Sequence, residues 1–268
     1  MALRHKTTKK KTIMNYFTPI NAAERYSKGR PNFHNTTISH IKKHLNIINK
    51  LNNSLDIACG TGLSTSALLE ISNNVFGTDT SEEMLKLALN KDEIKYSLAN
   101  AENQPFSSNE FNLITVCSGV HWFDIDKFLV EANRLLSSKG WLILYDNFFI
   151  SEMEDVESFS NWYPEVYLKK FPAPMRNNSY SWSEDNLSSK NLILENEEEF
   201  KNPIIFTKDE LILYFTTQSN ITAAIECGQT SYNEVEEWLN KELIQFYLTN
   251  NTRTLKFGNW IKYLRKNN

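Results

Sequence analysis

Short apolar runs alternate with stretches of helical period through the middle of the chain. Residues 55–58 read as a strand, a glycine turn follows, and residues 62–71 read as a helix. A second strand is expected over residues 74–78. Ser81 then caps a helix that carries Glu82 and Glu83 in its first turn, where the positive end of the helix dipole favours them, and Met84, Leu85, Ala88 and Leu89 on its apolar face. Strands are expected over residues 94–98 and 111–117, a helix over 128–136, the turn Ser137-Ser138-Lys139-Gly140, and a further strand over 141–145. A helix over residues 36–50 precedes the first strand. This alternation predicts an α/β fold, a mostly parallel sheet covered by helices on both faces. From Asp146 the rhythm breaks. Trp162, Pro164, Phe171, Pro172 and Pro174 crowd together before a polar stretch over 177–191, which suggests an inserted cap. Apolar runs at 192–194, 203–206 and 255–264 are candidates for the last two strands, with helical stretches at 208–215 and 233–248 between them.

Composition narrows this picture only a little. The 41% hydrophobic and 23% charged content of the 268 residues is that of an ordinary globular chain, and no apolar run reaches the roughly 18 residues of a membrane span. Arg4, His5, Lys6, Lys9, Lys10 and Lys11 form a basic start without the apolar core of a secretory signal, and a solvated tail is the favoured reading. A net charge of -3 supplies no global attraction for phosphate backbones, so a nucleic-acid partner is not expected. Cys59, Cys117 and Cys227 form no CxxC unit, and five scattered histidines offer no zinc spacing. A cytoplasmic protein without a metal or membrane partner is expected; oligomeric state is not legible.

The sharpest local signal is Leu55-Asp56-Ile57-Ala58-Cys59-Gly60-Thr61-Gly62, a strand that carries an acid and runs into a glycine turn opening a helix. Glycines there let a ligand approach the backbone, and open sheets bind ligands at the carboxyl ends of their strands. A buried tight turn would leave the same trace. A second acid, Asp79, ends the next strand roughly twenty residues on, where a carboxylate can accept hydrogen bonds from ribose hydroxyls. A nucleoside ligand explains both acids and the turn. A dinucleotide fingerprint is disfavoured, because Gly60-Thr61-Gly62 is followed by Leu63, Ser64 and Thr65, and because Asp56 would repel a pyrophosphate.

These motifs resemble those of the class I S-adenosylmethionine (SAM)-dependent methyltransferases. Asp56, Gly60 and Gly62 match the first motif, with Ala58 in place of its usual first glycine, and residues 76–85 match the second. Ala99-Asn100-Ala101-Glu102 before Pro105-Phe106 resembles the adenine-binding loop, with Asn100 where aspartate is common, and Phe111-Asn112-Leu113-Ile114 resembles the fourth-strand motif. The resemblance implies a Rossmann-like, seven-stranded, mostly parallel sheet with SAM as cofactor. It implies that Asp56, Ala58, Gly60, Thr61 and Gly62 hold the methionine part, and that Asp79 and Thr80 hold the ribose. Met84 would cover one adenine face, Asn100, Ala101 and Glu102 would border its polar edge, and Ser118 would lie beside the cofactor. Phe17, Tyr26, Arg30 and Pro31, with Ser118-Gly119-Val120-His121-Trp122-Phe123-Asp124, further resemble the type 11, trans-aconitate methyltransferase-like subgroup. There the N-terminal segment folds over SAM, and Tyr26 and Arg30 would meet the cofactor's carboxylate; an ordinary packed segment is the equal alternative. The domain order is then a tail and cofactor-covering segment (1–35), a SAM-binding core (36–148), a cap insertion (149–191) and C-terminal strands with helices (192–268).

Methyl transfer from a sulfonium needs alignment and exclusion of water more than a covalent residue. His121 and Trp122 are the candidate catalytic residues, although a packed His beside a core Trp is the bland alternative; Asp124 and Asp126 fit a helix start better than a metal site. The favoured acceptor is a small carboxylic acid, which needs no base and would be clamped by Arg30, His121 or Arg176. An amine, phenol or carbon acid would instead require a base, for which His121 is the candidate. Trp162, Tyr163, Phe171 and Trp182 are either pocket wall or lid core, the second slightly preferred. A SAM-binding protein without catalysis stays open, and a nicotinamide oxidoreductase is disfavoured by Asp56 and Thr65.

Overall fold

The computed structural model describes residues 20–89, 92–173 and 180–267. Phe17, the basic run at the start of the chain, Pro174 and Arg176 lie outside them. Two helices, α1 (Ile20–Gly29) and α2 (His34–His44), lead into β1 (Leu51–Ile57), α3 (Leu63–Ala67) with a 3-10 turn behind it, β2 (Ser72–Asp79), α4 (Glu82–Lys86), β3 (Ile94–Leu98), β4 (Phe111–Cys117), α5 (Ile125–Leu135) and β5 (Leu136–Met153). Then come α6 (Glu157–Trp162), a π-helical turn (Tyr163–Tyr167), α7 (Leu168–Lys170), α8 (Glu184–Ser188), β6 (Leu192–Thr207), α9 (Lys208–Thr216), α10 (Ser219–Glu226), α11 (Tyr232–Leu243) and β7 (Thr252–Lys266).

The strands form one seven-stranded sheet in the order β3-β2-β1-β4-β5-β7-β6. Pairing is parallel from β3 across to β5, and β7 runs antiparallel to both β5 and β6. The Rossmann-like, mostly parallel sheet expected from the sequence is therefore present. Strand periodicity sorts side chains to two faces. Leu142 and Leu144 join Leu55, Ile57 and Ile114 under Phe128, Leu129 and Ala132 of α5. Ile143 and Tyr145 turn the other way, toward Ile38 and Ile41 of α2.

Several elements differ from expectation. The helix expected over 62–71 is a five-residue α3 followed by a 3-10 turn, and the helix expected after Ser81 ends at Lys86. Beyond α4 the Leu89 N–H bonds Thr61 C=O across to the glycine turn, and beyond α3 the 3-10 turn closes with Ile71 N–H on Leu68 C=O. The runs at 192–194 and 203–206 are one continuous strand, β6, because a polar alternating segment between them pairs along the whole of β7. The sequence reading assigned no element to α10. A third core lies beyond the sheet layers. It gathers Phe159, Trp162, Tyr167 and Phe171 of the cap with Phe215, Val235, Leu239 and Phe246, over Phe206 and Phe257 of β6 and β7. Residues 192–268 thus supply cap as well as sheet; an amphipathic helix advertises a buried face without saying what it meets. Among the described residues no helix is long and apolar enough to cross a membrane.

Candidate active site

At the carboxyl end of β1 the backbone turns through left-handed conformations at Ala58 (φ 58°), Gly60 (φ 54°) and Gly62 (φ 79°). A Cβ on Gly60 would meet nothing within 4 Å, whereas one on Gly62 would stand 2.2 Å from the Tyr96 hydroxyl. Gly60 faces open space and Gly62 is tucked beneath the turn. Asp79, at the end of β2, accepts the Gly60 N–H on Oδ2 and the Ser81 N–H on Oδ1, each at 2.8 Å. Burial raises its pKa, opposed by the backbone N–H groups of Ser81, Gly60 and Thr80.

Asp56 corrects the sequence reading. It is fully buried below the turn, 0% exposed, and its carboxylate accepts hydrogen bonds from Ser64 Oγ (2.6 Å), Thr65 Oγ1 (2.8 Å) and Thr115 Oγ1 (2.9 Å). It does not line the cavity, because its direction on β1 aims it at α3 and β4. Burial pushes its carboxyl up to about 6, with the three hydroxyls pulling the other way and Asp79 adding to the rise.

A cavity of about 490 Å³ opens above the turn, within the span typical of small-molecule sites. Tyr26, Arg30, Ala58, Gly60, Asp79, Thr80, Met84, Ala101, Ser118, His121 and Trp122 line it, so most of the residues singled out from the sequence meet around one space. Asp56, Thr61, Gly62, Asn100 and Glu102 are not among its walls. Asn100 is exposed and its carbonyl accepts from Gln104 Nε2; Glu102 accepts the Asp124 N–H at 2.8 Å and so fixes the loop to the start of α5. Asp124 caps that helix through Lys127 N–H and pairs with the Lys127 ammonium, as a helix start would.

Beside the main cavity lies a side pocket of about 50 Å³, bordered by Arg30, Thr61, Ser64 and Asn147. Arg30 is stacked between the rings of Tyr26 (4.8 Å) and Tyr214 (5.4 Å). Its Nε, Thr61 Oγ1 and Asn147 Nδ2 are buried without a hydrogen-bond partner among the described residues. Three such atoms around one small pocket are an unmet demand for an acceptor. His34 sits just below, sharing a hydrogen bond with Tyr145 Oη at 3.0 Å, and burial, then Arg30, lowers its pKa to about 4.

The far wall comes from the ends of β4 and β5. Ser118 has φ 54°, a strained position for a residue with a side chain, and its hydroxyl donates a short hydrogen bond to Asp146. Burial pushes the neighbouring Cys117 thiol up to about 12. His121 and Trp122 stand on a 3-10 turn with ring centroids 4.8 Å apart, and Trp122 is 38% exposed, so this His-Trp pair is at the rim and not in the core. Above them Phe149, Tyr163 and Tyr214 close the cavity. Of the cap aromatics named from sequence, Tyr163 alone faces it; Trp162 and Phe171 are buried in the cap core and Trp182 packs against Tyr180. Sequence reading missed Asp146, Asn147, Phe149 and Tyr214. A signal for Asp146 existed: like Asp79, it is an acid that closes an apolar run at the carboxyl edge of the parallel strands, although β5 itself continues to Met153.

Residues 55–144 match the model of the methyltransferase domain family. A protein of Dictyostelium discoideum named as a methyltransferase is 27% identical over 222 residues, which cover 81% of this chain and 82% of that protein. The ubiquinone/menaquinone biosynthesis C-methyltransferase of Psychromonas ingrahamii is 32% identical over 139 residues, 48% of this chain, and the match spans about half (55%) of that relative's length. Among solved structures, a type II methyltransferase from Anaeromyxobacter dehalogenans shares the fold with a TM-score of 0.66 at 18% identity, covering 89% of this chain and 97% of the other. Residues 55–144 thus carry a methyltransferase domain, with the motifs of the first, second and fourth strands in order on this sheet.

Proposed function

We propose that the cavity binds SAM along the carboxyl edge of the sheet and presents its methyl group to a small molecule held under the cap. The observation that carries this reading is the continuity of one cavity from Asp79 and Met84, past the open turn at Gly60, to Ser118, His121 and the cap aromatics. The residues fit the cofactor. Asp79 has acceptor capacity for ribose hydroxyls, and Met84 and Ala101 offer apolar faces to an adenine ring. Arg30 Nε, Thr61 Oγ1 and Asn147 Nδ2 supply the side pocket with groups that complement a carboxylate. Asp56 acts from beneath through its charge and through the hydroxyls that anchor the turn, with no contact of its own. SAM, when bound, supplies an electrophilic methyl on a sulfonium. The chain's own contribution is alignment and exclusion of water: Ser118 and Trp122 form the wall beside the transfer, and His121 is the group available to hold a proton.

The carboxylic acid acceptor favoured from the sequence needs a cationic or hydrogen-bonding clamp, for which Arg30 and His121 line the cavity and Arg176 lies outside the described residues. Among the described residues Arg30 is the one Lys or Arg lining the cavity, and in this reading the cofactor's carboxylate takes it. Among the described residues the acceptor end is then left with aromatic rings, amides, Ser118, His121 and Asp146.

Calorimetric titration with S-adenosylhomocysteine (SAH) tests the cofactor assignment. Binding is expected, and Asp79→Ala should weaken it by roughly 1.5 to 3 kcal/mol, or about tenfold to a hundredfold, through lost charge-assisted hydrogen bonds. No heat from folded protein at millimolar SAH, or an unchanged dissociation constant in the folded variant, would overturn it.

A further inference from the structure

Asp79 and Asp146 are the two acids lining this cavity, and among the described residues neither forms an ion pair: Asp79 is held by the backbone N–H groups of Gly60 and Ser81, whereas a side chain alone holds Asp146. Among the described residues Asp146 accepts a side-chain hydrogen bond from the Ser118 hydroxyl and forms no ion pair, in contrast to Glu131, whose partner Arg134 lies 2.7 Å away. The alternation of β5 sends Asn147 toward the side pocket and the buried amides of Asn202 and Asn259, while Asp146 stays with Ser118 on the cavity wall. The rings of Phe149, Tyr163, Tyr214 and Trp122 line the same cavity.

A carboxylate on the wall of a cavity partly lined by aromatic rings has a defined chemical complement. Ring faces attract cations and the carboxylate supplies the opposite charge, whereas a second carboxylate there meets repulsion in a poorly screened space. Among the described residues three side chains of formal charge line the cavity: Arg30, which also borders the side pocket, Asp79 at the end of β2, and Asp146 beside Ser118. With the cofactor's carboxylate at Arg30 and its ribose at Asp79, Asp146 is the acid left for a further ligand.

We propose that Asp146 is the specificity-determining residue for the acceptor and that the acceptor is a small cationic amine. This assignment rests on the reading of the cavity as a SAM site. An ammonium group must lose one proton before its nitrogen pair can form the new N–C bond, while the pair of the broken C–S bond stays on sulfur. His121, on the same wall, is the group that accepts that proton and passes it to water. Asp146 therefore selects and orients the nitrogen, and the imidazole carries the proton.

The test is calorimetry on protein saturated with SAH, with benzylamine, benzyl alcohol and benzoate as probes of one shape and three charges. SAH binding is measured first on the same sample; its absence indicts the cofactor reading, and this proposal falls with it. With SAH bound, benzylamine should bind more tightly than the alcohol, and benzoate most weakly. Asp146→Asn should cost benzylamine roughly tenfold to a hundredfold while leaving SAH affinity intact. The ranking of the three probes needs no variant, so a misfolded Asp146→Asn does not blunt the test. Benzoate binding as tightly as benzylamine, an unchanged benzylamine affinity in the folded variant, or no binding by any primary amine from methylamine to phenethylamine would overturn the proposal. Incubation with methyl-labelled SAM and a panel of amines and carboxylic acids should place label in base-stable N-methyl products; label confined to base-labile esters would equally refute it.

Discussion

The half of the molecule built from the parallel strands and the half built from the cap make their contributions to the cavity by different means. On the parallel side the shape comes from backbone: left-handed residues at 58, 60 and 62 open the turn, and Asp79 fastens it through two N–H groups. Its core is aliphatic, with Leu55, Ile57, Ile114, Leu142 and Leu144 layered under α5. On the cap side the shape comes from side chains. Phe159, Trp162, Tyr167, Phe215 and Phe246 interlock edge to face and face to face, and the cavity wall of Phe149, Tyr163 and Tyr214 is the inner surface of that cluster. A backbone cradle suits a ligand whose position is fixed, and a side-chain wall suits one that varies.

The largest expected effect separates the two halves directly. Trp162 stacks on Phe159 at 5.4 Å and donates its indole N–H to Glu242 at 3.0 Å. Trp162→Ala should cost about 3 to 5 kcal/mol of stability in a urea titration. SAH affinity should change little as long as the protein is folded; a parallel collapse of SAH binding would make the two halves a single unit and break the comparison.

Next comes the charge under the turn. Asp56 is raised to about 6 from 3.8, so the stability it contributes is full below pH 3.8 and is lost as pH rises through 6; at neutral pH the loss is about 3 kcal/mol. Asp56→Asn should therefore be the more stable protein at pH 7 by up to about that amount, less whatever the hydroxyl network loses. His34 has the opposite sign. Lowered to about 4 from 6.5, it contributes stability that is full above pH 6.5 and is lost as pH falls through 4. Denaturation of the Asn variant from pH 7 to 4 should expose that second slope, and a profile identical to the parent's would show that Asp56 carries no such penalty.

Smaller effects sharpen the contrast within the turn. Gly62→Ala should lose about 1 to 2 kcal/mol from left-handed strain and more from the Tyr96 oxygen 2.2 Å from the new Cβ, part of it recovered by adding Tyr96→Phe. Gly60→Ala meets nothing, so it should show the strain alone but weaken SAH, because its methyl projects into the open space. Equal losses of stability at the two glycines would contradict their different surroundings. Least of all, Ser231→Ala removes the capping box of α11 and should cost about 1 kcal/mol in thermal unfolding, with SAH binding unaffected.

The parallel half was legible because its signals are local. An apolar run closed by an acid, a glycine turn and a capping Ser81 each specify their own backbone within a few residues, and the order of the strands follows from handed βα connections. Asp56 shows where that ends. Its motif identifies the turn, but whether the carboxylate faces a ligand or three hydroxyls depends on Thr115, which is distant in sequence and adjacent only because β4 pairs with β1. Trp162, Tyr163 and Phe171 were equally unreadable one by one: the same aromatic letters serve cap core or cavity wall according to which way a π-helical turn points them.

By itself, then, the sequence determined the α/β class, the edge of the sheet that carries the site, and a set of residues that meets around one cavity. Tertiary structure decided which acids face that cavity, how β6 pairs along β7, and that residues from both ends of the chain, Arg30 and Tyr214, close it. The physical reason is range. Dihedral preference, capping and hydrophobic period act over a single turn or strand, whereas burial, charge balance and ring packing are properties of neighbours brought together from anywhere in the chain.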